Sequence, residues 1–137
     1  MTLTPAEAEQ ILAANFAPWV QDLDLKVTEV APDRLRVLLP WSDRLARDGG
    51  GLSGQALMAA ADTATVLAIS AARGGYGPMT TVQQSTSFQR PVLGVDVRIE
   101  VTVTKLGKRI AFADVVMTPD GATEPAATAS TVYALLG

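Results

Sequence analysis

In the run GGGLSGQALMAAADTATVLAIS, residues 49–70, a single carboxylate, Asp62, stands inside an alanine-rich helical pattern. The side chains three and four residues away are Met58, Ala59, Thr65 and Val66, so the helix offers no cation to neutralise it. A carboxylate taken out of water without a partner costs several kcal/mol, or else takes up a proton. Two explanations meet that cost. Asp62 is satisfied by hydroxyls such as Thr63 or Thr65, or by a polar group from another segment; or it is a partly desolvated general base or nucleophile. At the start of the same helix, Ser53-Gly54-Gln55 presents backbone N–H groups without helical partners at the positive end of the helix dipole. Such groups suit a developing oxyanion, and Gly54 admits close approach of a substrate. An ordinary cap, with Ser53 as the capping residue, explains the same three residues.

Composition narrows the chemistry further. The 137 residues contain no histidine and no cysteine. That removes Ser-His-Asp and Cys-His catalysis, disulfides, thiolate chemistry and the His-dependent zinc sites. Catalysis is left to carboxylates, hydroxyls, Lys or Arg, and backbone dipoles, with no metal needed. Eleven Lys and Arg against fourteen Asp and Glu give a net charge of -3, which argues against a general nucleic-acid surface. An anionic ligand would therefore need a local basic cluster. The turn Lys105-Leu106-Gly107-Lys108-Arg109, with Arg90 and Arg98 as expected neighbours in a folded sheet, is such a cluster or a solvated hairpin tip. Residues 52–72 are long enough to raise a membrane span, but Asp62 and the Ser, Thr and Ala content favour a helix buried in a soluble protein. The N-terminal MTLTPAEAEQ lacks a signal-peptide pattern, so a mature cytoplasmic protein is expected.

The elements that must position these groups follow from patterning. With 48% hydrophobic residues, the length fits one domain over 1–137. Thr4-Pro5-Ala6-Glu7 resembles a capping box, and Ala8, Ile11, Leu12 and Phe16 continue a helical stripe that should end near Pro18. Residues 23–31 and 34–41 alternate around Ala31-Pro32-Asp33, as a hairpin does. The long helix ends at Arg73-Gly74-Gly75. Strands are expected at 79–88, 95–105, 108–117 and 126–135, as a four-strand meander. The outline is α+β with a mainly antiparallel sheet. Residues 80–87, TTVQQSTS, are polar on both faces, which fits an edge strand or hydrogen-bonded interface, or a strand lining a wet cavity.

Taken together, residues 52–136 resemble the PaaI-like branch of the hotdog-fold acyl-CoA thioesterases, in which an antiparallel sheet wraps a glycine-opened central helix that carries an acid. The family motif resembles His-Gly-Gly, a short apolar run, then Ala-Asp-Thr-Ala. It stands here as Ser53-Gly54-Gln55, residues 56–60, and Ala61-Asp62-Thr63-Ala64. By this resemblance Asp62 takes the place of the catalytic acid and Gly54 that of the glycine whose N–H polarises the thioester carbonyl. Ser53 replaces the motif histidine, so its hydroxyl or Gln55 must take over the positioning of the loop. Arg47, with Asp48 beside it, falls where many relatives carry Asn or Gln. Phe88-Gln89-Arg90-Pro91 matches an aromatic-x-x-Pro strand end; counting back from it puts Thr81 where some relatives hold a water-orienting hydroxyl, and counting forward from Asp62 gives Thr80. Lys105, Gly107, Lys108 and Arg109 resemble a segment that contacts coenzyme A. Thr63, Thr80, Phe88 and Arg90 complete the substrate contacts so implied.

The eight helical steps from Gly54 to Asp62 rise about 12 Å and rotate the two onto different faces. A thioester carbonyl needs its donor and its attacker within about 7 Å of each other. One helix cannot supply both, so each site should combine Gly54 of one subunit with Asp62 of the other. This agrees with what the hotdog resemblance implies: a homodimer joined edge to edge, or a tetramer built as a dimer of dimers. The expected activity is hydrolysis of an acyl-CoA without a cofactor, coenzyme A being part of the substrate, and with no nucleic-acid or membrane partner. A non-catalytic acyl-CoA binding or sensing module is the alternative, and a scaffold with no ligand is a third.

Overall fold

The structure, a computed structural model, describes residues 2–137. Helix α1, Pro5–Asn15, begins with the anticipated capping box: the Thr4 hydroxyl accepts from the Glu7 N–H, and the Glu7 carboxylate accepts from the Thr4 N–H. It ends before Pro18 and is followed by a helical turn that patterning did not reveal, α2, Pro18–Gln21. The Gln21 carboxamide donates to the Leu12 and Phe16 carbonyls, closing the open end of α1. The hairpin strands are β1, Lys26–Val30, and β2, Arg34–Leu39. Then come the long helix α3, Gly54–Arg73, and strands β3, Met79–Phe88, β4, Val97–Leu106, β5, Ile110–Pro119, and β6, Ala127–Leu135. Gly74, in the left-handed region at φ 84, terminates α3.

All six strands form one antiparallel sheet in the order β1-β2-β4-β5-β6-β3. The expected four-strand meander is therefore a meander of three, β4 to β6. β3 leaves its sequence neighbour β4 and pairs with β6 at the far edge, because residues 89–96 carry the chain back across to β2. The polar texture of β3 is explained by this position. An edge strand has few neighbours to bury against, and seven of its ten residues are exposed and none is buried, whereas alternate residues of β4, β5 and β6 are buried.

One face of the sheet packs on α3. Val97, Ile99 and Val101 of β4, Ala113, Val115 and Met117 of β5, and Leu35, Val37 and Leu39 of β2 meet Leu57, Ala60, Ala61, Ala64 and Leu67 of the helix. The small alanines let the helix lie close to the sheet, which fits a buried core helix despite its length and hydropathy. Gln55, Met58, Ala59 and Asp62 form the stripe of α3 left open to solvent, next to β3.

Candidate active site

Asp62 sits on that stripe, half-buried. Its Oδ1 accepts from the Thr81 hydroxyl at 2.9 Å and from the Tyr133 phenol. Thr81 and Tyr133 are direct cross-strand partners on β3 and β6, so their side chains leave the sheet on the same face and converge on one carboxylate oxygen. A bulge between Thr81 and Gln83 makes Val82 the extra residue, and shifts the helix-facing set from odd to even positions: Thr81, then Gln84, which donates to the Met58 carbonyl at 3.1 Å and to the Thr86 hydroxyl. Thr80, one residue earlier, is exposed and faces away. Of the two threonines that counting leaves open, Thr81 is the one whose hydroxyl meets Asp62.

No ion pair among the described residues includes Asp62. Two hydroxyl donors to a carboxylate contribute about 1.5–3 kcal/mol each, which offsets partial desolvation without a cation. The local hydroxyls do not serve it. Thr63 and Thr65 are buried and donate to the carbonyls of Ala59 and Ala61 one turn back. Burial pushes the Tyr133 phenol well above its ordinary pKa of 10.0, and the hydrogen bond to Asp62 pushes it in the same direction, so it remains a donor.

At the other end of α3, the Ser53 hydroxyl accepts from the Ala56 N–H at 3.2 Å, and the Ser53 carbonyl accepts from the Leu57 N–H. The N–H groups of Gly54 and Gln55 have no partner among the described residues. The Phe88 ring lies over Gly54: a Cβ there would stand 3.3 Å from two ring carbons. Beside them opens a cleft of about 470 Å³ lined by Arg47, Gly54, Leu57, Phe88, Arg90 and Val92, among others. Asp62 is not part of it. Arg47 faces the cleft and lies 3.4 Å from Asp48, which is itself almost fully exposed. Arg90 is held by Glu124 at 2.6 Å and by the Pro125 carbonyl.

The basic residues do not assemble within one chain. Arg90 follows the Phe88 end of β3, and Arg98 lies opposite Thr118 at the same end of the sheet, where its guanidinium donates to the Ala122 carbonyl. Lys105, Lys108 and Arg109 sit at the β4–β5 turn, next to Leu135 and the Met79 end of β3. The expectation that Arg90 and Arg98 neighbour this turn is corrected: the ten residues of β3 put about 30 Å between its two ends. The turn's three cations are exposed and free of ion pairs among the described residues. Gly107 is needed for the turn itself, since a Cβ there would meet the Ile110 carbonyl oxygen at 3.0 Å.

Tyr133 is the site residue that patterning missed. In the alternating run ATASTVYAL it passes for a core aromatic, and only the rule that a buried phenol seeks a partner singles it out.

A single antiparallel sheet curled against one long central helix, with an acid on that helix, is the hotdog fold. The chain belongs to the thioesterase superfamily, whose family model matches residues 49–126. It is 26% identical over 100 residues to a Thermoplasma acidophilum protein named as an esterase, covering 71% of this chain and 73% of that one. Among solved structures, zebrafish thioesterase superfamily member 2 matches with a TM-score of 0.87 at 24% identity, over 98% of this chain and 100% of that one. The Escherichia coli PaaI protein from the phenylacetic acid degradation operon matches with a TM-score of 0.81 at 17% identity, over 97% and 96%. The two structures share the fold, and membership of the superfamily supports thioester hydrolysis as the class of chemistry.

Proposed function

We propose that this protein is an acyl-CoA thioesterase whose active site is completed by a second copy of the chain. The observation that carries the proposal is that Asp62 and Gly54 lie against opposite ends of one unpaired edge strand: Asp62 at Thr81, Gly54 at Phe88. If two β3 edges pair antiparallel about their midpoint, between Gln83 and Gln84, the Phe88 end of each strand faces the Met79 end of the other. The partner's Gly54 then approaches Asp62, and the partner's Arg90 approaches Lys105, Lys108 and Arg109. Ten residues of open edge, with Val82 59% and Met58 40% exposed beside it, are a surface that folded proteins cover.

In such a site Asp62 takes a proton from water as the water oxygen attacks the thioester carbon. The N–H of the partner's Gly54 stabilises the tetrahedral oxyanion. The C–S bond then breaks, and the coenzyme A thiolate takes the proton back from Asp62, releasing free acid and thiol. Direct attack by Asp62 would pass instead through an anhydride that water opens. The cations at the two ends of β3 would hold the substrate phosphates, with no metal or cofactor required. A tetramer would pair two such dimers without changing either site, and a cytoplasmic location suits a cysteine-free chain whose apolar helix is buried.

A non-catalytic acyl-CoA binding module is the second reading. It is favoured by Ser53, whose hydroxyl is already engaged as a cap and so is a poor replacement for the motif histidine. A panel of acyl-CoA substrates assayed for free thiol, with wild type beside Asp62→Asn, separates the two. Hydrolysis that falls at least about 100-fold in Asp62→Asn supports the enzyme; saturable binding without thiol release supports the module.

A further inference from the structure

The phenol of Tyr133 is 2% exposed, on the last strand of the sheet, and its oxygen lies within hydrogen-bonding reach of two atoms of a single residue: the Asp62 backbone oxygen at 3.1 Å, and Asp62 Oδ1. A phenol has one proton to donate. Packing alone would be met by phenylalanine at the same place, since the ring fills a cluster made of Val66, Ile69, Ala111 and Leu135. What the hydroxyl adds is directed wholly at the acid. Thr81 reaches the same oxygen from the opposite strand, and no hydrogen bond among the described residues reaches Oδ2.

We propose that Tyr133 is a positioning residue: together with Thr81 it caps Oδ1, fixes the rotamer of Asp62, and leaves Oδ2 as the oxygen that takes the proton from water or attacks the thioester carbon. The inference rests on the acyl-CoA thioesterase function proposed above and deepens it by separating the roles of the two carboxylate oxygens. Thr81 stands on the edge strand of the sheet, whereas Tyr133 comes from its interior, between β5 and β3, and is the more deeply buried of the two anchors. Loss of the phenol would leave Oδ1 with the threonine alone, free to rotate about χ2 and to exchange places with Oδ2.

The test compares Tyr133→Phe, Asp62→Asn and the double variant, with steady-state kinetics on the best acyl-CoA of the panel and thermal unfolding of each protein. Positioning predicts that Tyr133→Phe lowers kcat about 10- to 100-fold with KM within about twofold, and causes no further loss in the Asp62→Asn background. A purely structural role would shift KM or reduce the two backgrounds by equal factors; either result overturns the inference. So does wild-type kcat in Tyr133→Phe while Asp62→Asn is impaired, a result that leaves the thioesterase reading standing. Equal activity in wild type and Asp62→Asn would sink the thioesterase reading, and the role of Tyr133 with it. Should Tyr133→Phe fail to fold, Tyr133→Met, which also fills the space without a donor, is expected to give the same kcat-selective loss.

Discussion

The two functional stretches of α3 differ in what they offer. Its first turn contributes backbone: N–H groups of Gly54 and Gln55 that have no partner among the described residues, roofed by Phe88 and opening on a cleft with Arg47 and Arg90. Its middle contributes a side chain, Asp62, clamped from the sheet by Thr81 and Tyr133 and in no ion pair among the described residues. One half has donors and positive charge without a base; the other has a base without donors or charge for an anionic substrate. Each is incomplete, and each is built against a different end of the same open strand. Under the proposed function, this division makes assembly part of catalysis.

The sharpest way to break this comparison is to remove the first turn's donor. Gly54 occupies the first helical position, which accepts proline, and Ser53 before it is extended at ψ 145, as a residue preceding proline should be. Gly54→Pro should therefore fold, with Phe88 shifting aside, and lose about 100- to 1000-fold in kcat, measured by thiol release. Activity within a few-fold of wild type would remove the Gly54 N–H from the mechanism.

The edge between the two halves is probed next. Val82 is exposed in the single chain, so Val82→Glu should leave the fold intact while placing like charges across a β3–β3 junction. Sedimentation should show dissociation, and activity should fall about 10-fold or more at concentrations where wild type is dimeric. Full activity from a monomer would contradict shared sites.

The charges give a smaller effect. Lys108→Glu with Arg109→Glu should raise KM for the acyl-CoA about 10-fold at low salt with kcat nearly unchanged, and the difference should shrink as ionic strength rises. An acyl substrate lacking the nucleotide phosphates should be indifferent to the change.

The smallest effect sharpens the environment of the clamp. Since the folded-state pKa of Tyr133 lies above its unfolded value of 10.0, stability from this group is complete below pH 10 and declines as pH rises beyond it, because only the unfolded chain gives up the proton. Relative to Tyr133→Phe, wild-type unfolding free energy should then fall with an extra slope approaching about 1.4 kcal/mol per pH unit. Parallel profiles would mean that the phenol is not held protonated by the fold.

Much of this was legible before any coordinates, wherever the signal is local. The capping box at Thr4, the bounds of β3 between Pro78 and Gln89, and the Gly74 stop all follow from neighbours a few residues apart. β4 and β5 each start two residues later than patterning suggests, because Asp96 turns to accept from the Trp41 N–H and the Gly107–Ile110 turn takes up the basic residues. Strand order is not local. Nothing in residues 79–88 specifies that they pair with 127–135 rather than with β4, since that choice depends on the loop that returns to β2. Asp62 and Gly54 were visible as chemistry on an otherwise apolar helix. Tyr133, 71 residues from the acid it touches, was not, because alternation marks it as buried and is silent about where its hydroxyl points.

Mixing inactive chains tests the shared site most directly. Gly54→Pro and Asp62→Asn proteins, unfolded together and refolded at equal concentration, should form heterodimers in half of all pairs, each with one intact site, and recover about a quarter of wild-type thiol release. No recovery in heterodimers verified by mass would contradict a site divided between two chains.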